Sequence, residues 1–138
     1  MEVTTTGIGA NPIKVLLIED NIGDAMLIQQ TLSQGTETSF FLEHVTRLSK
    51  GIELLKNTTI DIIILDLALP ESQGLETLHE LSKHTNVPII VMSGLENETT
   101  AMEAIKNGAK DYLVKGKVDG FRLITSIKFA IERHNNKL

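Results

Sequence analysis

The chain has 138 residues, 41% of them hydrophobic and 22% charged, the size and balance of one ordinary globular domain with no room for a second full one. It has no cysteine, which excludes a disulfide framework, a thiolate zinc site and a cysteine nucleophile, and no apolar run nears the ~18 residues that span a bilayer. With 13 basic against 18 acidic residues the net charge is -5, so no uniform field draws it to DNA, RNA or an anionic membrane.

Residues 1–12 (MEVTTTGIGANP) are poor in apolar groups and read as a flexible lead-in. They lack the basic and apolar regions of a signal peptide, which makes the cytoplasm the expected location. From Ile13 onward, five apolar runs of strand length alternate with stretches whose apolar residues recur every three or four positions. The first run, Ile13 to Ile18, precedes a helix on Ala25, Ile28 and Leu32 that Gly35 closes. Phe40 to Val45 precedes a helix on Leu48, Ile52 and Leu55, and Ile60 to Leu65 one on Leu75, Leu78 and Leu81. Pro88 to Met92 leads to Ala101, Ala104 and Ile105, with a left-handed cap at Lys106-Asn107-Gly108. Asp111 to Val114 leads to a last helix on Ile124, Ile127 and Ile131. One domain over 13–134 with a tail at 135–138 is expected.

Strict strand–helix alternation implies a parallel sheet, and Val15 to Ile18 and Ile62 to Leu65 are apolar at consecutive positions, as in strands covered on both faces. Right-handed crossovers cover both faces only if the strand order reverses. The second and fifth runs carry Glu43, His44, Asp111 and Tyr112 and suit the edges. The expected fold is therefore α/β, a doubly wound five-stranded parallel sheet of order 2-1-3-4-5.

In such a sheet the crevice lies beyond the carboxyl ends of the strands, at the reversal. Glu19-Asp20, Asp66, Ser93-Gly94 and Lys115 all fall there. Three carboxylates in one crevice repel each other, and a divalent cation relieves that. Oxygen-only ligands with room for water favour Mg2+, with Mn2+ as a substitute. Asp66, flanked by a metal and the Lys115 ammonium, is a nucleophile suited to in-line phosphoryl transfer; Ser93 can hydrogen-bond the group and Gly94 allows close approach.

The segments VLLIEDN (15–21), IIILDLALPESQGLE (62–76), PIIVMSG (88–94) and GAKDYLVK (108–115), in this order and spacing, closely resemble the receiver domains of two-component response regulators, with their flavodoxin-like fold. The resemblance covers Ile13 to about Arg133. It implies that Glu19 and Asp20 hold Mg2+, that Asp66 accepts the phosphoryl group and contacts the metal, and that Ala68 lends the metal its backbone carbonyl. It makes Ser93 the switch hydroxyl, Lys115 the phosphate-binding lysine and Tyr112 the aromatic that follows the switch. The side chains of Ala68 and Leu95 would tune dephosphorylation. Glu-Asp replaces the usual Asp-Asp, and Ser the usual Thr, both with the needed oxygens kept. Gly116 replaces the proline that usually follows the lysine, often through a cis peptide. A cis bond to a non-proline residue costs about 2.5 to 4 kcal/mol, so a trans, more mobile loop carrying the lysine is expected.

A phosphatase of the haloacid dehalogenase kind would need an acid where Ala68 stands. A flavodoxin would need a neutral phosphate loop in place of Glu19 to Asp24. The alternative that keeps the fold is a pseudo-receiver, an unphosphorylated protein-binding module. His79 and His84 read as solvated surface, Glu96, Glu98 and Glu103 as a solvated face, and Met26, Met92 and Met102 as core filler. Phe129 falls opposite the apolar stripe of the last helix, beside Arg122 and Arg133, and marks a candidate interface for a homodimer or partner through the fourth helix, fifth strand and fifth helix.

The expectation is a phosphoacceptor switch that catalyses only its own aspartyl phosphorylation and dephosphorylation. It would be fed by a sensor histidine kinase or phosphotransfer protein. With no residues left for an output domain, it would act through a downstream protein or as one piece of a larger signalling protein, with no direct contact to nucleic acid or membrane.

Overall fold

The computed structural model describes residues 2–4, 11–34 and 37–136. In chain order the elements are β1 (Glu2–Thr4), β2 (Ile13–Ile18), α1 (Ile22–Ser33), β3 (Phe40–Val45), α2 (Leu48–Asn57), β4 (Ile62–Leu65), α3 (Leu75–Ser82), β5 (Ile89–Ser93), α4 (Glu98–Lys106), β6 (Asp111–Val114) and α5 (Gly120–Asn135). The sheet runs β1-β3-β2-β4-β5-β6. Its five expected strands are parallel and stand in the order 2-1-3-4-5, with the reversal between β2 and β4.

The lead-in departs from expectation: β1 pairs antiparallel with β3, Val3 opposite Leu42. The second run is therefore not an edge. An uncovered β3 would present a row of unpaired backbone groups, and the β-branched residues Val3 and Thr4 suit a strand that satisfies them. Residues 1 and 5–10 of the lead-in, the Gly35 cap and residues 137–138 of the tail lie outside the described residues.

Side chains of the central strands alternate between two cores, which is why their sequence is apolar without interruption. Val15, Leu17, Ile62 and Ile64 pack with Ala25, Ile28 and Leu32 of α1 and Leu123, Ile127 and Ala130 of α5. Leu16, Ile18, Ile63 and Leu65 face the other way, onto Leu48, Leu78, Leu81 and Ala104. No helix among the described residues is long and apolar enough to cross a membrane. Met92 is buried as expected, but Met26 and Met102 are 59% and 57% exposed, and Ile105 is exposed as well. Met26 lies off the Ala25–Ile28–Leu32 stripe, and α4 buries only Ala104.

Helix ends follow local chemistry. The side chains of Asn21, Asn97 and Asp119 accept from the backbone N–H three residues on, at 2.9, 2.9 and 2.8 Å. Gly108, at φ 104, closes α4 as expected. The N-cap of α2, Arg47, makes no such bond. Instead Glu71, from the loop after β4, accepts from the Ser49 N–H at 3.2 Å and the Ser49 hydroxyl at 2.6 Å. Those two bonds hold the Glu71 carboxyl below the usual carboxylate range.

Candidate functional site

The parallel ladder continues one step past the strands. Glu19 N–H donates to Val45, Asp66 N–H to Ile18 and Lys115 N–H to Ser93, at 3.0, 3.0 and 2.8 Å. Each bond fixes the backbone from which a site side chain leaves, all on the carboxyl edge. Glu19 and Asp66 are buried, 1% and 5% exposed, whereas Asp20 is exposed. An open cleft of about 620 Å³ has Asp20, Asp66, Ala68, Ser93, Gly94 and Lys115 in its wall, with Leu95 at the rim. The structure thus brings together every residue expected from the strand ends.

Glu19, Asp20 and Asp66 offer carboxylate oxygens that lie within 4.8 Å of one another. The Lys115 ammonium reaches Glu19 at 2.6 Å and Asp66 at 3.5 Å. Burial, and next the hydrogen bond with Asp66, push Glu19 up to about 7, against the pull of Lys115. Burial works against the Lys115 charge too, but bonds to Glu19 and Asp24 outweigh it and raise the lysine to about 12. Negative charge here exceeds what one ammonium compensates. A hard divalent ion on these oxygens would relieve the excess, with Asp20 on the open side, so the donor set fits Mg2+.

Around the acids, the Ala68 N–H donates to Asp66 Oδ1 at 3.2 Å and the Ser93 hydroxyl accepts from the Leu95 N–H at 3.1 Å. The Tyr112 hydroxyl donates to the Leu95 carbonyl at 2.6 Å. Lys117 and Glu96 form an ion pair that joins the loops after β6 and β5. No peptide bond among the described residues is cis, and Gly116 sits at φ 81. Since the Lys117 N–H donates to the Val114 carbonyl at 3.1 Å, Val114 to Lys117 form a type II turn, whose third position requires positive φ. The turn delivers Lys115 to the acids without the usual proline.

Two participants were missed by sequence reasoning. Asp24, in the first turn of α1, lies 3.0 Å from Lys115, 91 residues away in the chain. Its one local signal is the Asn21 cap that anchors its N–H. His44 is buried, and its Nε2 lies 2.7 Å from the Glu19 carbonyl, steadying the turn that carries the acidic pair. A buried histidine among the apolar residues of β3, where Glu43 is the other polar residue, flags such a contact but not its partner.

Phe129, Arg122 and Arg133 lie on α5, away from the cleft wall. Phe129 is 57% exposed. Arg122 pairs with Asp111 at 3.0 Å and Arg133 donates to the Lys110 carbonyl at 3.0 Å. Asp111 also accepts from Ser126 at 2.7 Å; burial opposes its charge, but these partners keep its carboxyl below the usual range. His79 and His84 are exposed, as are Glu96, Glu98 and Glu103.

The family model for the response regulator receiver domain matches residues 15–128. The transcriptional regulatory protein KdpE of Staphylococcus aureus is 35% identical over 102 residues, 74% of this chain and 43% of that protein. The luminescence regulatory protein LuxO of Vibrio campbellii is 33% identical over 118 residues, 85% of this chain and 25% of that protein. The chain therefore spans less than half the length of these curated relatives. A crystal structure of a response regulator receiver domain protein from Clostridium thermocellum superposes with a TM-score of 0.75 at 27% identity, covering 91% of this chain and 99% of that one.

Proposed function

The chain belongs to the response regulator receiver domain family, and from that premise we propose that it takes a phosphoryl group onto Asp66 from a phosphohistidine on a sensor histidine kinase or a phosphotransfer protein. One observation carries the reading: Asp66 is a buried carboxylate at the end of a central strand, with the acidic pair on one side and an ammonium 3.5 Å away.

In the transfer an Asp66 oxygen attacks phosphorus in line with the departing nitrogen. The P–O bond forms as the P–N bond breaks, and the imidazole keeps the electron pair and takes a proton from solvent. A leaving group that good needs no general acid, which suits the alanine at position 68. Glu19, Asp20, Asp66 and the Ala68 carbonyl would hold Mg2+, or Mn2+ in its place, whose charge offsets that of the phosphoryl oxygens. Lys115, whose ammonium already lies 3.5 Å from Asp66, binds a phosphoryl oxygen, and Ser93 turns its hydroxyl from Leu95 to another. The bound group is later lost to water, with Ala68 and Leu95 controlling access, so the chain catalyses only its own phosphorylation and dephosphorylation.

The readout follows from released bonds. As Ser93 leaves the Leu95 N–H, the loop that holds the Tyr112 hydroxyl shifts, Tyr112 turns inward, and the face of α4, β6 and α5 changes population. That face, with Phe129, Arg122 and Arg133, meets a downstream protein or a second copy.

The test is intact-mass analysis after incubation with Mg2+ and acetyl phosphate, beside Asp66→Asn and a chelated control. One added phosphoryl group that needs both Mg2+ and Asp66 is expected. A folded protein without an adduct would instead be an unphosphorylated binding module.

A further inference from the structure

The Lys115 ammonium is nearer to two other carboxylates than to Asp66: 2.6 Å from Glu19 and 3.0 Å from Asp24, against 3.5 Å. Glu19 belongs to the acidic set that would engage a metal. Asp24 does not, so it is the carboxylate that still competes for the lysine once that set is occupied. We propose that Asp24 holds Lys115 back from Asp66 until a phosphoryl group arrives, setting how readily the switch closes. The proposal rests on the phosphoacceptor reading above.

Three features support it. Asp24 is held in place by the Asn21 cap on its own N–H, at 2.9 Å, so the carboxylate is presented from a fixed helical turn. The lysine comes from a tight turn closed by the Lys117 N–H bond, so its long side chain, not its backbone, has to move between partners. Finally, a cavity of about 210 Å³ lies between α1 and that turn, with Asp24, Lys115 and Gly116 in its wall beside Leu27, Met92 and Val118. A Cβ added at Gly116 would meet nothing within 4 Å. Asp24, Lys115 and Asp66 also share the wall of the open cleft at the carboxyl edge, so the ammonium has open space between the two carboxylates.

A phosphoryl group shifts the lysine only by the difference between its attraction and that of Asp24. The Asp24 and Lys115 side chains are 37% and 19% exposed, so the pair is neither fully screened nor fully dry. Neutralising Asp24 with little change of shape should strengthen binding of a phosphoryl mimic about three- to tenfold.

The experiment measures beryllofluoride affinity in Mg2+ by calorimetry, and acetyl phosphate labelling rates by intact mass, for wild type, Asp24→Asn, Lys115→Met and the double variant. Asp24→Asn should bind about three- to tenfold tighter and label faster, while in the Lys115→Met background the same change should have less than about a twofold effect in either assay. A gain of affinity is not what general damage to the fold produces. Unchanged or weaker binding by Asp24→Asn would overturn the proposal, as would an equal gain without the lysine, which would mean that any lost negative charge near the anion suffices. Wild type that neither binds beryllofluoride nor labels would remove the phosphoacceptor reading itself.

Discussion

Glu19 is the residue on which the electrostatics of the cleft turns. A carboxyl raised to about 7 from an ordinary 4.5 binds its proton more tightly when folded than when unfolded. The stability it contributes is present below about pH 4.5 and is lost as pH rises through about 7. With chelator present, thermal melts followed by circular dichroism should show this contribution falling between about pH 5 and pH 7.5. Added Mg2+ should raise the melting temperature most at the upper end, where the carboxylate is ionised, and Glu19→Gln should flatten both responses. A Mg2+ effect equal at both ends of that range would refute the assignment. The acid pair, Asp66 and Lys115 were legible in the sequence because each ends or follows an apolar run, and parallel strands deliver such positions to one edge. Asp24 was not, because its partner is 91 residues away and only the folded sheet brings α1 beside the turn after β6.

At the scale of elements, α2 approaches β2 closely at Gly51. A Cβ there would lie 2.6 Å from Ile18 Cδ1, inside a core where Ile18 is fully buried. Alanine would gain about 1 kcal/mol of helix propensity, but overpacking costs about 1 to 3 kcal/mol, so Gly51→Ala should destabilise by about 1 kcal/mol net in urea denaturation. Leu123→Ala, on α5 in the opposite core, leaves a cavity in place of a 1% exposed side chain and should cost about 2 to 5 kcal/mol. These helices could be placed from sequence because their apolar spacing matches one buried face. The exposed Met26 and Met102 could not be placed by residue type, since methionine serves cores and surfaces alike; the phase of the Ala25–Ile28–Leu32 stripe was the better guide for Met26. The strand β1 has no periodicity to reveal it over three residues, and its existence depends on an edge formed some 40 residues later.

Across the whole molecule, the two cores share one sheet, so the cleft at its carboxyl edge and the α4–β6–α5 face are parts of one packed unit. Tyr112 spans the two, its half-buried ring packed against the core that includes Ala104 of α4 and its hydroxyl on the Leu95 carbonyl. Phosphorylation should therefore change self-association through that face. Sedimentation velocity with and without beryllofluoride should show a shift in wild type that Phe129→Ala weakens, and an unaltered shift in the variant would exclude Phe129 from the contact. The borrowed cap of α2 has a further consequence. Because Ser49 donates both its N–H and its hydroxyl to a carboxylate on the loop that follows Asp66, the first turn of α2 is a native reporter of that loop. Its amide resonance should move when the loop is gripped by a kinase or rearranged by phosphate, so an NMR spectrum can follow signalling without any attached probe.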